Sequence, residues 1–124
     1  MGAPDNVKIV EGVDAKQYIG TWYEIARLDH SFERGLDNVT HHYELKKDGG
    51  IKVTNKGYNR KAEKWNTEDG NAYFLEEPNT DKTYIGKLKV SFFGQFYGAY
   101  NIIALDKVYY NYVMICGPNK NYLW

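Results

Sequence analysis

Gly20-Thr21-Trp22-Tyr23-Glu24-Ile25-Ala26-Arg27 is the stretch on which the fold turns. It follows Asp14-Ala15-Lys16-Gln17-Tyr18, in which Asp14 and Gln17 have the spacing of a helix-capping pair. A short helical turn therefore runs directly into a strand. Gly20 permits tight packing at that junction, and Trp22 supplies a large apolar surface with one indole donor to satisfy. Successive side chains of a strand point to opposite faces. Trp22, Glu24, Ala26 and Leu28 then share one face, with Tyr23, Ile25 and Arg27 on the other. That parity turns Glu24 inward beside Trp22 and two apolar residues outward, against simple burial.

Outward from this stretch, twelve Tyr, five Phe and three Trp, together with Val, Ile and Thr, favour strands. Turn signals recur at Lys47-Asp-Gly-Gly50, Glu68-Asp-Gly-Asn71, Pro78-Asn-Thr-Asp81, Gly94-Gln-Phe-Tyr-Gly98 and Gly117-Pro-Asn119. The pattern predicts strands near 21–28, 38–46, 51–58, 71–76, 86–93, 99–105, 110–116 and 121–124. Eight antiparallel strands joined by short hairpins close into an up-and-down barrel with room for one small ligand.

Alternation assigns the cavity face. In the second strand Val39, His41, Tyr43 and Leu45 point in, and Thr40, His42, Glu44 and Lys46 point out. In the fifth, Leu88, Val90 and Phe92 share a face against Lys87, Lys89 and Ser91. In the sixth and seventh both faces are apolar. Tyr100, Ile102 and Ala104 are assigned inward over Ile103 and Leu105, and Tyr112, Met114 and Cys116 over Val113 and Ile115.

The 124 residues make a single domain, 1–124, large enough for an ordinary core without disulfides, and Cys116 has no second cysteine to pair with. Sixteen basic and sixteen acidic residues cancel, so no net field favours nucleic acid or an anionic membrane. No apolar run reaches the length of a membrane span, and Met1-Gly-Ala-Pro-Asp5 carries neither a signal-peptide core nor a usable myristoylation box; the chain by itself reads as soluble. His41 and His42 are adjacent, point to opposite faces and so cannot share a metal, and His30 adds no second ligand pattern; no metal is expected. Cys116 stands before Gly117-Pro118 with no adjacent base to activate it, and no carboxylate pair, Ser/His/Asp set or phosphate-cradling loop is present. The expectation is a binding protein with no cofactor, not an enzyme.

Gly20-x-Trp22 is followed by Leu28-Asp-His-Ser-Phe-Glu-Arg-Gly-Leu36, Val39-Thr40, Lys56-Gly-Tyr-Asn59 and Lys89-Val-Ser-Phe-Phe-Gly94. Then come Tyr97-Gly-Ala-Tyr-Asn-Ile-Ile-Ala-Leu-Asp106, Cys116-Gly-Pro118 and Tyr122-Leu-Trp124. Over nearly the whole chain this series resembles the bacterial outer-membrane lipocalins, relatives of apolipoprotein D. The resemblance implies an all-β, eight-stranded antiparallel up-and-down lipocalin β-barrel with a short N-terminal helical turn. It implies a last strand cut short at Trp124 and a C-terminal outer helix that this sequence lacks. Trp22 would plug the closed end, Tyr23 and Ile25 would pack under that helix, and the segment 29–36 would lie over the mouth as a lid. The parent protein would be periplasmic and anchored to the outer membrane, meeting membrane only through a lipid anchor that this sequence does not carry. An unfinished barrel predicts self-association through the open seam, or a partner segment that completes it.

A barrel is a container, so function rests on its lining. The expected ligand is a small amphipathic lipid, a fatty acid or lysophospholipid, stored or transported with its acyl chain inside. Ala26, Leu28 and the lid residue Phe32 are its expected contacts from the first strand and loop. Val39, His41 and Tyr43 follow from the second strand, and Val53 and Asn55 from the third. Val90, Phe92, Tyr100 and Ile102 continue the wall, and Tyr112 and Met114 complete it. Two alternatives stand beside this one: a tetrapyrrole carrier, haem or bilin, using His41, and a thiol-dependent lipid isomerase using Cys116.

Overall fold

A computed structural model describes residues 6–27, 35–92 and 97–117. Chain order is α1 (Ala15–Tyr18), β1 (Gly20–Tyr23), β2 (Leu36–Leu45), β3 (Ile51–Asn59), β4 (Lys64–Phe74), β5 (Lys87–Phe92), β6 (Tyr97–Leu105) and β7 (Val113–Cys116). The seven strands form one antiparallel sheet in the order β1-β2-β3-β4-β5-β6-β7, each pairing with its neighbours in sequence. The expected eighth strand, 121–124, lies outside the described residues.

Asp14 caps α1, accepting from Lys16 N at 3.0 Å and Gln17 Nε2 at 3.0 Å. Its own N–H donates to the Tyr110 hydroxyl at 2.9 Å, not back to the Gln17 side chain, because the β6–β7 connection packs against this end. The preceding segment is stitched there too, with Val13 bridging Tyr84 and Val10 N–H donating to Ile102 O at 2.9 Å. The turn 46–50 forms as expected, with Asp48 Oδ1 accepting from Gly50 N–H at 2.9 Å and Gly49 at φ 88°. Antiparallel alternation then puts this turn, the loop 75–86 and the connection 106–112 at the α1 end of the sheet, and the β3–β4 turn at the other.

Several strand boundaries differ from expectation, and β7 begins at Val113 and not near 110. Glu68-Asp-Gly-Asn71 is not a turn but the middle of β4, pairing in register with β3. Gly70 is a packing glycine: a Cβ there would lie 2.4 Å from Ser91 O and 2.6 Å from the Phe92 ring. The hairpin turns instead at 60–63, where Asn59 Oδ1 accepts from Ala62 N–H at 3.1 Å and Glu63 takes φ 52°. β1 also ends at Tyr23, so parity does not extend to Ala26, which is exposed and leaves the lining, or to Arg27.

The core holds Val13, Tyr18, Tyr43, Ile51, Val53, Ala72, Leu88, Tyr100, Ile102 and Ile115. At its centre three phenols meet. The Tyr100 hydroxyl lies 2.5 Å from that of Tyr18 and 2.8 Å from that of Tyr43. Burial, and after it the neighbouring phenols, push Tyr18 and Tyr100 well above the ordinary tyrosine range, so both are neutral donors and acceptors.

Two outcomes test this packing. Gly70→Ala should destabilise the fold by about 1–3 kcal/mol through overpacking. Gly98→Ala, whose Cβ would meet nothing within 4 Å, should leave urea and thermal midpoints nearly unchanged. Equal midpoints for the two variants would refute the β4–β5 packing. In an alkaline titration Tyr18 and Tyr100 should stay protonated while the fold holds. Their folded-state pKa is raised, so stability should be complete below about pH 10, the unfolded value, and fall as pH rises beyond it. Tyrosinate absorbance reaching all twelve tyrosines before circular dichroism changes would contradict the buried cluster.

Candidate functional site: the inner face of the sheet

Cross-strand partners share a face, so the register maps the cavity wall. Gly20 pairs with Tyr43, Tyr43 with Val53, Val53 with Gly70 and Gly70 with Phe92. Nearer the α1 end, Ala72 pairs with Val90 and Phe74 with Leu88, which pairs with Tyr100. These rows are apolar apart from the phenols. The next row toward the mouth runs Trp22, His41, Asn55, Glu68 across four strands. A polar band therefore crosses the middle of the inner face, with apolar Val39, Leu36 and Gly57 beyond it toward the mouth.

His41 is buried, while His42 faces out, where its Nδ1 lies 2.8 Å from Thr21 Oγ1. Nδ1 of His41 donates to Asn55 Oδ1 at 2.8 Å and Nε2 lies 3.3 Å from Glu24 Oε1. Both ring nitrogens thus face side-chain oxygens. The Glu24 side chain is only 5% exposed. Its second oxygen takes Arg27 Nη1 at 2.7 Å, and Arg27 Nη2 donates to Leu36 O at 3.1 Å. A carboxylate this buried needs such partners, since removing one from a buried pair costs about 3–5 kcal/mol. Glu68 completes the row, its carboxyl raised by desolvation.

A β-bulge between Asp37 and Thr40, with Asn38 at φ 52°, brings Leu36 and Val39 together over Gly57, where a Cβ would sit 2.9 Å from Leu36 Cδ1. A second register shift between Ile102 and Ala104 resolves the ambiguous strands. Beyond it Leu105 and Val113 pack on the core with Ile102 and Ile115, while Ala104 pairs with Met114 on the other face.

Val39, His41, Tyr43, Val53, Asn55, Val90, Phe92, Tyr100 and Ile102 are thus brought together on the inner face. Tyr112 and Met114 are not: Met114 is 44% exposed while Ile115 is 2% exposed, so the seventh strand faces opposite to expectation. Ala26 is likewise excluded, and Leu28 and Phe32 lie outside the described residues. Cys116 is buried, but it pairs with Asn101 on the face away from the cavity. Sequence reasoning missed Arg27, because β1 ends before it, and Glu68, because Glu68-Asp-Gly-Asn71 reads as a turn. Glu24 was signalled by parity alone. Tyr23 and Ile25, at 72% and 93% exposure, do point outward.

The Lipocalin-like domain family matches residues 13–124. The chain is 56% identical over 121 residues to outer membrane lipoprotein Blc of Citrobacter freundii, covering 98% of this chain and 65% of that protein. It is 49% identical to outer membrane lipoprotein Blc of Vibrio cholerae, covering 100% of this chain and 70% of that one. Apolipoprotein D of Rattus norvegicus is 34% identical over 130 residues, with 100% and 65% covered. The chain thus spans about 65% of the length of the first of these relatives. Among solved structures, the cockroach allergen Per a 4 superposes with a TM-score of 0.67 at 22% identity, covering 96% of this chain and 68% of that one, a likeness of fold alone. The sequential seven-stranded sheet and the family match along it agree: this chain belongs to the lipocalin family.

Proposed function

We propose that this chain binds, and stores or transports, one small amphipathic hydrophobic ligand, a fatty acid or a lysophospholipid. The observation that carries the reading is the make-up of the inner face, apolar rows nearer α1 and the polar band of Glu24, His41 and Asn55 across its middle. Burying about fourteen methylenes at ~0.8 kcal/mol each offers about 11 kcal/mol before association and ordering losses, consistent with nanomolar to micromolar binding. The polar row then selects the head group. Val39, Tyr43, Val53, Val90, Phe92, Tyr100 and Ile102 are the wall residues proposed to meet the chain, and His41 and Asn55 the head.

Binding is favoured over the other chemistries by placement. Cys116 lies on the opposite face from the cavity, so a thiol reaction on a bound lipid has no access. His41 turns both nitrogens to Glu24 and Asn55, an orientation that does not aim a lone pair at haem iron. Because the relatives are outer membrane lipoproteins, the proposed setting is the periplasmic side of that membrane, with the parent protein held by a lipid anchor.

A long-chain fatty acid or lysophospholipid should raise the melting temperature, and each methylene removed should weaken binding by ~0.8 kcal/mol. Equal stabilisation by long- and short-chain homologues would exclude an acyl-filled cavity. Native mass spectrometry of protein purified without delipidation should show one lipid per chain. His41→Ala should change the ratio of affinities for a fatty acid and a lysophospholipid by about tenfold, because the Glu24 carboxylate and Asn55 amide that the imidazole faces then turn to the head group. His42→Ala should leave that ratio unchanged, and matching calorimetric profiles for the two variants would refute the head-group role.

A further inference from the structure

Net neutrality conceals an uneven distribution of charge. Between residues 56 and 65 the chain carries Lys56, Arg60, Lys61 and Lys64 against one acid, Glu63, and all five side chains are exposed. This segment is the end of the β3–β4 hairpin, at the opposite end of the sheet from α1. From β2, Asp37 pairs with Arg60 and offsets one of the cations. With Glu63, two acids stand against the four cations and leave an excess of two positive charges, carried by Lys56, Lys61 and Lys64 beside Glu63.

The same tip carries an aromatic in an unusual setting. Trp65 is 50% exposed, although a residue of this size is ordinarily well covered. It packs edge-on against Tyr58 at 5.3 Å between ring centroids, and Lys56 Nζ lies 5.1 Å above its ring. An indole held at the surface with cations around it suits the interface between a bilayer and water, where the ring sits among head groups and the ammonium groups meet phosphates. Behind the tip lies a cleft of about 560 Å³ whose lining includes Arg27, Asp37, Arg60 and Lys61, with Arg60 paired to Asp37 and Arg27 to Glu24.

We propose that the β3–β4 hairpin tip docks this protein against an anionic lipid surface, with Trp65 in the head-group layer and Lys56, Lys61 and Lys64 over the phosphates. Charge complementarity selects an anionic bilayer over a neutral one, and docking by this tip turns the mouth of the cavity toward the membrane. The proposal does not depend on which ligand the cavity holds, since vesicle binding and ligand binding are read separately.

Flotation with vesicles of equal parts phosphatidylglycerol and phosphatidylcholine tests it. The protein should float with these vesicles at low salt, dissociate as salt is raised, and stay behind with phosphatidylcholine alone. Each interfacial lysine contributes about fivefold, so Lys61→Gln with Lys64→Gln should weaken partitioning roughly 30-fold. Lys47→Gln with Lys52→Gln removes the same charge on the far side of the sheet's midpoint, nearer α1, and should leave partitioning unchanged. Brominated lipid should quench tryptophan emission in the parent chain and not in Trp65→Phe. Failure to float, equal binding to neutral vesicles, equal loss in both lysine pairs, or quenching that survives Trp65→Phe would each overturn the proposal. A melting profile matching the parent establishes that each variant is folded.

Discussion

Tyr18, Tyr43 and Tyr100 impose the constraint from which the cavity follows. β2 and β6 are separated by three other strands in the sheet, yet the hydroxyls they carry meet at 2.8 Å. A sheet whose second and sixth strands touch through their side chains has to curl around the space between them. The third phenol, at 2.5 Å from Tyr100, brings α1 into the same knot, so the turn before Gly20 is fixed against both sides of the curl. Three buried hydroxyls would each be costly alone. Hydrogen-bonded to one another in a low-dielectric core, they become a specific link that an apolar cluster would not provide.

Curling alone does not set what lines the cavity; the register does. Strict alternation would carry a strand's inward set unchanged from end to end. The bulge at Asp37–Thr40 and the shift at Ile102–Ala104 break it, turning Leu36 inward with Val39 and Leu105 inward with Ile102. Glycines make room for the wall, as Gly57 does beneath the re-aimed Leu36 and Gly70 beside Phe92. The wall is therefore continuous across irregular strands.

Electrostatics then marks a band across the wall. Glu24 is withdrawn from water at the polar band, where Arg27 Nη1 donates to one oxygen and His41 Nε2 lies 3.3 Å from the other, while the rows nearer α1 present apolar groups and phenols. On the outside, the hairpin between β3 and β4 gathers cations that the whole-chain balance hides, so a net charge of zero says little about local fields.

The sequence by itself determined the all-β architecture, the helical turn before Gly20, and the facing of the long regular strands. Val39, His41 and Tyr43, like Leu88, Val90 and Phe92, were legible because alternation is a property of the backbone and holds wherever pairing is regular. It even determined that Glu24 points inward, against its hydropathy. Tertiary structure decided the rest. An Asp-Gly pair reads as a turn locally, but Gly70 is required in β4 because Ser91 O and Phe92 occupy the space of a side chain. Arg27 joined the site because β1 stops at Tyr23 and the chain folds back onto Glu24. Met114 and Ile115 are equally apolar, so only the shift in pairing with β6 could choose between them. Facing is local wherever the ladder is regular; where a strand ends, bulges or gives way to a neighbour's side chain, the deciding contacts come from residues far along the chain, which no local pattern encodes.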